Sequence, residues 1–238
     1  MAGYNDAMNI DVAEVSKFNE LANRWWDPEG DFKPLHDINP LRLQYLLDRT
    51  DVVDKRAIDV GCGGGILAES LAAAGATVTG IDMAERPLAV AQLHAQSNGV
   101  SVDYHQNTAE AQAEAQPEHY DIVTCLEMLE HVPDYASTIA ACAALAKPGA
   151  HLLFSTINRH PKAYLLAVLG AEYVLNLLPK GTHTYAAFIK PSELASAARA
   201  AGLDVEQVIG MRYNPFNRKA SLSRDVDTNY LLYARKPA

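Results

Sequence analysis

Apolar and polar positions change period along this chain, and the changes divide it. Residues 11–24 set Val12, Val15, Phe18 and Leu21 three apart, the spacing of one helix face. Asp11 stands where a cap would, and Glu14 three positions later completes a capping-box-like start. Residues 25–40 are rich in Pro, Gly and Asp and read as irregular, with a second helix from about Pro40 to Asp48. From Lys55 the pattern alternates. Short apolar strands at 57–60, 77–81, 102–105, 121–125 and 152–155 are separated by helical stretches, the clearest at 66–74, 87–97 and 135–145. Such alternation through short turns predicts a parallel sheet covered on both faces. The tail differs: a helix at 191–201, a strand at 204–211, a polar loop, and a strand at 229–234 that should pair antiparallel with its predecessor. The predicted class is α/β and Rossmann-like, a mostly parallel seven-stranded sheet ending in an antiparallel hairpin, with helices on both faces.

A chain of 238 residues suits one such domain, and 49% hydrophobic against 21% charged residues excludes a disordered or fibrous class. The formal charge of −9 makes a nucleic-acid partner a poor fit. Three scattered cysteines without CxxC spacing suit a reducing cytoplasm. No basic and apolar leader stands at residues 1–11, and no apolar run is long enough to span a bilayer, so a soluble or peripheral protein is expected.

The chemistry-bearing motif is Asp59-Val60-Gly61-Cys62-Gly63-Gly64-Gly65, at the junction of the first alternating strand and its helix. Glycines there let a nucleotide-like ligand approach the backbone, and Asp82 at the end of the next strand can bond ribose hydroxyls. A tight turn without a ligand would not need four glycines in five positions. Ile66 stands where the dinucleotide fingerprint has its third glycine, and Asp59 would repel a pyrophosphate yet accept from an ammonium group. The ligand indicated is a nucleoside with an amino-acid tail, S-adenosylmethionine. After the fourth strand comes Leu126-Glu127-Met128-Leu129-Glu130-His131. If this begins as a helical turn, Glu127, Glu130 and His131 share a face and could hold a divalent cation such as Mg2+ with places open for substrate oxygens. His131 could instead be a general base, and each carboxylate alone could be a polar loop residue.

With Asp82 and LEMLEHVPD, the glycine turn resembles the class I S-adenosylmethionine-dependent methyltransferases. Residues 24–27 (RWWD), 32–36 (FKPLH), 38–42 (INPLR), 179–183 (PKGTH) and 211–215 (MRYNP) narrow the resemblance to the ubiquinone biosynthesis O-methyltransferase family, over about residues 10–235. Lys147-Pro148-Gly149-Ala150 departs from that family's pattern, which has a second glycine. The resemblance implies two O-methylations of ring hydroxyls on polyprenylated phenols or catechols. It also implies cofactor contacts for Arg42, Gly61, Asp82 and Leu126, to which the turn adds Asp59 and Gly63. Glu127, Glu130 and His131 match positions tied to catalysis and divalent-metal dependence. Arg42 would clamp the cofactor carboxylate, or be a surface helix cation. Leu126 would pack on the adenine, or line the core. Trp25 and Trp26 would wall the substrate pocket or anchor the N-terminal helix.

Residues 162–180 are nearly apolar all round and bracketed by Arg159, Lys162 and Lys180. They read as a helix buried on the sheet, or as a lid lying on anionic lipid at the inner face of the cell membrane. The expected organisation is one methyltransferase domain over 1–238: a helical cap (1–54), a cofactor-binding half (55–157), a lid or membrane-contact insertion (158–190), and a terminal helix and hairpin (191–238). Other ubiquinone-biosynthesis proteins are possible partners. Rival expectations are a different small-molecule methyltransferase, or a non-catalytic cofactor-binding scaffold of a lipid-biosynthetic complex.

Overall fold

The computed structural model describes residues 4–5, 9–163 and 185–238. Eight strands form its main sheet: β1 (Arg56–Val60), β2 (Thr77–Asp82), β3 (Val102–Gln106), β4 (Tyr120–Leu126), β5 (Ala146–Ile157), β6 (Asp204–Asn214), β7 (Lys219–Ser223) and β8 (Asn229–Arg235). Their spatial order is β3-β2-β1-β4-β5-β8-β6-β7, parallel through β5 and antiparallel beyond it. The expected seven strands become eight, because β7 lies within the stretch that reads as a polar loop. Its sequence, KASLS, lacks a buried face and forms a strand only by pairing along β6.

Strand residues alternate between two cores, as the period-two pattern requires. Ile58, Val123, Leu152, Phe154 and Leu232 pack on one face with helices α5 (Ala109–Ala115), α6 (Tyr135–Leu145) and α7 (Pro191–Ala200). Ala57, Ile122, Leu153 and Leu231 pack on the other with α2 (Lys33–Leu47) and α3 (Ile66–Ala73). Burying each of these large side chains is worth about 1.5–3 kcal/mol, so removing any one leaves a cavity felt across the sheet. Between β2 and β3 runs α4 (Glu85–Ser97), and α1 (Val12–Leu21) lies before the sheet begins.

Three local expectations change. Helix α2 starts at Lys33, well before Pro40: Pro34 fits its first turn, and Pro40 is carried inside. Strand β5 runs through Lys147-Pro148-Gly149, where a turn is expected. Asp11 does cap α1, accepting from Ala13 N at 2.9 Å and Glu14 N at 3.3 Å, but the Glu14 side chain turns away from the cap. Residues 164–184, most of the expected lid, lie outside the described residues. Of its brackets, Arg159 pairs with Glu193, and Lys162 with Asp225 (2.6 Å) and Asp227 (3.4 Å). Among the described residues, no helix is long and apolar enough to cross a membrane.

Candidate active site

Strand β1 has β2 on one side and β4 on the other, so the chain direction of the connections reverses at its carboxyl end. Open α/β sheets leave a crevice there. In this chain it is a cleft with about 1170 Å3 of empty space, open mouth included. Asp59, Gly61, Gly63, Asp82, Leu126, Glu127 and His131 all line it, so local motifs far apart in sequence do converge. Arg42 and Glu130 do not line it; they stand behind Glu127 and His131.

The glycine turn is built for close contact. Gly63 adopts φ +53°, a left-handed conformation, and a Cβ on either Gly63 or Gly64 would overlap the indole of Trp25. Asp82 ties the turn down: its carboxylate accepts from Gly63 N at 2.9 Å and Ala84 N at 2.8 Å. Burial nevertheless pushes Asp82 above the ordinary carboxylate range, against those backbone bonds. Asp59 is more strongly affected. It is buried at the end of β1, accepts from Thr124 Oγ1 at 2.6 Å, and is pushed up to about 7 by desolvation. A cationic ligand above it would restore the charged form.

The acidic segment does not form a helical turn. Glu127 takes φ +51°, outside the right-handed helical region, which leaves only Leu129–His131 as a short 3-10 turn. Glu127 accepts from Arg42, from Ser155 Oγ at 2.7 Å, and from Asn229 Nδ2 at 2.9 Å. Glu130 is buried and accepts from Thr156 Oγ1 at 2.7 Å; its Oε1 has no partner, and burial beside Glu127 pushes it up to about 7. His131 instead contacts Glu14 of α1, Nδ1 to Oε2 at 2.8 Å, and packs edge-on against Phe18. The helical turn expected to set the triad on one face is therefore not formed. The carboxylates are held by an arginine, hydroxyls and an amide, and no His/Cys/Asp/Glu group suited to a metal occurs among the described residues. Engaged with Arg42, Ser155, Asn229 and Glu14, Glu127 and His131 are not set to receive Mg2+ here, and of the two carboxylates only Glu130 Oε1 is without a partner.

A strap from the N-terminal region covers the cleft, and motif spacing gave no sign of its contacts. Asn9 Nδ2 bonds Glu110 Oε1 at 2.8 Å, the Asp134 carbonyl at 2.9 Å and Thr138 Oγ1 at 3.0 Å, on the far rim. Glu14 reaches His131 from mid-strap. Trp25 stacks on Phe32 at 3.9 Å, and Trp26 stacks on His94 at 3.4 Å while donating to the Gly64 carbonyl at 2.9 Å. Of the two expectations for Trp25-Trp26, both features are present: Trp25 lines the cleft, and both rings anchor the cap. Glu110 holds Asn9 and Ser137 on the rim. The Asn9 contacts and the Glu14–His131 pair join residues over a hundred positions apart, so only an expectation about the cap packing over the site could have anticipated them.

Comparison with known proteins places this architecture. Residues 36–208 match a family model described as "Methyltransferase domain". In fold, the chain is similar to magnesium protoporphyrin IX methyltransferase from Synechocystis PCC 6803, with TM-score 0.68 and 23% identity over 93% of this chain and 97% of that one. It is likewise similar to a SAM-dependent methyltransferase from Aquifex aeolicus, with TM-score 0.61 and 15% identity over 93% and 97%. The ubiquinone biosynthesis O-methyltransferase of Nitrosospira multiformis is 60% identical, with 97% of each chain covered. That of Pseudomonas entomophila is also 60% identical, over 94% of this chain and 97% of the relative. Identity at that level along nearly the whole of both chains means that this α/β enzyme belongs to the ubiquinone biosynthesis O-methyltransferase family.

Proposed function

We propose that the chain binds S-adenosylmethionine in the β1 cleft and methylates ring hydroxyls of polyprenylated phenols and catechols, at the two O-methylation steps of ubiquinone biosynthesis. The observation that carries this is the convergence of the glycine turn, Asp59 and Asp82 with a Glu14–His131 pair in one cleft. When bound, S-adenosylmethionine supplies an electrophilic methyl group on a sulfonium. The chain's own work is to hold and align. Gly61 and Gly63 give backbone access, Asp82 serves ribose hydroxyls, Asp59 accepts from the ammonium end, and Leu126 packs on the adenine. Arg42 gives Nη2 to Glu127 and leaves Nε unpartnered, so it positions Glu127 and keeps donors for the cofactor carboxylate. The plain alternatives, a ligand-free turn and a core leucine, leave the shared cleft unexplained.

Glu14 fixes the His131 tautomer: Nδ1–H donates to the carboxylate, and Nε2 becomes the acceptor nitrogen. His131 then takes the phenol proton as the oxygen–methyl bond forms and the sulfur–methyl bond breaks, leaving a thioether. No step runs through a metal, because Glu127 would first have to leave Arg42. The chain acts as one domain, with the N-terminal cap closing the site. Residues 162–180 hold it peripherally on the inner face of the cell membrane, where its substrate resides.

The test uses methyl-labelled cofactor and a short-tailed catechol, with and without a chelator. Label should enter the catechol, at the same rate in both arms. Tight cofactor binding without transfer would favour a scaffold, and loss of rate under chelation would restore the metal.

A further inference from the structure

The most exposed large apolar side chain among the described residues does not line the cleft. Phe216, at the tip of the hairpin joining β6 to β7, is 86% exposed, against 65% for Leu93, the next in rank. Isolated exposed apolar residues are ordinary. Three further observations separate this one.

The tip is rigid. Asn214 Oδ1 accepts from Phe216 N at 2.9 Å, and Asn217 Oδ1 accepts from Lys219 N at 3.2 Å, so each asparagine closes a small turn beside the ring. At the hairpin flanks, Tyr213 donates to Asp37 at 2.6 Å, Arg218 pairs with Asp37 and Glu29, and Arg212 pairs with Asp225 at 2.9 Å. The backbone beneath the ring is thus held by bonds on both sides, which lowers the ordering cost of binding.

The charge around it runs against the rest of the chain. From Met211 to Arg224 there are four cations, Arg212, Arg218, Lys219 and Arg224, and no acidic residue, in a chain whose formal charge is −9. Lys219 and Arg224 are exposed and form no ion pair among the described residues. The hairpin is also an outer edge, since β7 ends the sheet. Cations on an edge guard against strand addition, but they do not account for a bare aromatic at the tip.

We infer that the β6–β7 hairpin is a membrane-docking element: Phe216 enters the interfacial zone of an anionic lipid surface, and Lys219 and Arg224 meet the headgroups. The choice of a lipid surface rests on the lipid-tailed substrate proposed above. Placing the anchor on this hairpin is independent of residues 162–180, and Lys162 at the start of that stretch is joined to the hairpin's base through Asp225.

Flotation of the full chain with phosphatidylcholine vesicles, plain or containing phosphatidylglycerol, tests it. Phe216→Ser should weaken binding about tenfold or more, the loss expected for one buried aromatic. Lys219→Glu combined with Arg224→Glu should abolish the preference for the anionic vesicles. Methylation of a water-soluble short-tailed catechol should be unchanged in both variants. Wild-type binding by Phe216→Ser would overturn the inference, as would sedimentation showing that Phe216 holds two copies of this chain together. Vesicle binding without catechol methylation would sink the proposed function and leave the hairpin. Methylation without vesicle binding would do the reverse.

Discussion

Gly64→Ala isolates the seating of the cap on the glycine turn. Unlike Gly63, Gly64 has an ordinary φ, so alanine there adds no backbone strain. Its only fault is spatial: the new methyl would fall onto the five-membered part of the Trp25 indole, 2.7 Å from Nε1 and closer still to two ring carbons. Trp25 is 6% exposed and stacked 3.9 Å from Phe32, so it can retreat only by unstacking and by lifting the strap. Overpacking costs about 1–3 kcal/mol, and a lost aromatic stack adds about 0.5–1.5 kcal/mol. Trp25→Ala alone should cost about 3–5 kcal/mol as a large-to-small change. In that background the added methyl meets empty space, so Gly64→Ala should be nearly neutral. Urea unfolding of the four proteins gives the coupling, expected at about 1.5–4.5 kcal/mol. Additive effects within about 0.5 kcal/mol would refute the contact, and with it the closed cap.

Three other outcomes follow from the same geometry. Asp82→Ala removes the carboxylate's bond to the glycine turn at Gly63 N, worth about 1.5–3 kcal/mol, together with the proposed ribose contact, so cofactor affinity in a calorimetric titration should fall at least about a hundredfold. A change under threefold would remove Asp82 from the binding site. Glu14→Gln should lower kcat about tenfold or more while the KM for cofactor stays put, with partial recovery in Glu14→Asp; a KM-only effect would make Glu14 merely a cap contact. Asp59 keeps its proton to about pH 7 when folded and loses it near the ordinary value of 3.8 when unfolded. The contribution of Asp59 to apoprotein stability should therefore be fully present below about pH 4, decline as pH rises towards 7 at up to ~1.4 kcal/mol per pH unit, and level off above. Glu130 behaves in the same way, so Asp59→Asn should remove only part of the summed decline. In urea melts, a stability difference between wild type and Asp59→Asn that stays constant from pH 4 to 7 would contradict the Asp59 assignment.

The sheet was legible because its strands obey a local period: Ile58 against Ala57 and Leu152 against Leu153 alternate between two cores. β7 was not legible, since KASLS has no such period and owes its form to its neighbour. The glycine turn and Asp82 were legible as a spaced pair and do meet, 2.9 Å apart at Gly63 N. The acidic triad was not, because spacing implies a shared face only if the backbone is helical, and Glu127 leaves the helical region at φ +51°. Glu14 illustrates the same limit. Its position in a capping pattern is correct, but a histidine 117 residues away takes the carboxylate instead. Long-range partners of this kind leave no local trace.

Asn9 bonds three groups on the opposite rim, and Asp134 N returns a fourth bond to its Oδ1 at 2.8 Å. Together with the Trp26 anchor, this makes the cap a bridge pinned at both ends across the mouth of the cleft. Ligand traffic then becomes a question of which pin is released first. With Asn9 released and Trp26 in place, the bridge would swing as a flap, and the four bonds of one asparagine would then govern the departure of spent donor. Turnover in such an enzyme would be tuned at its rim, far from the atoms that exchange the methyl group.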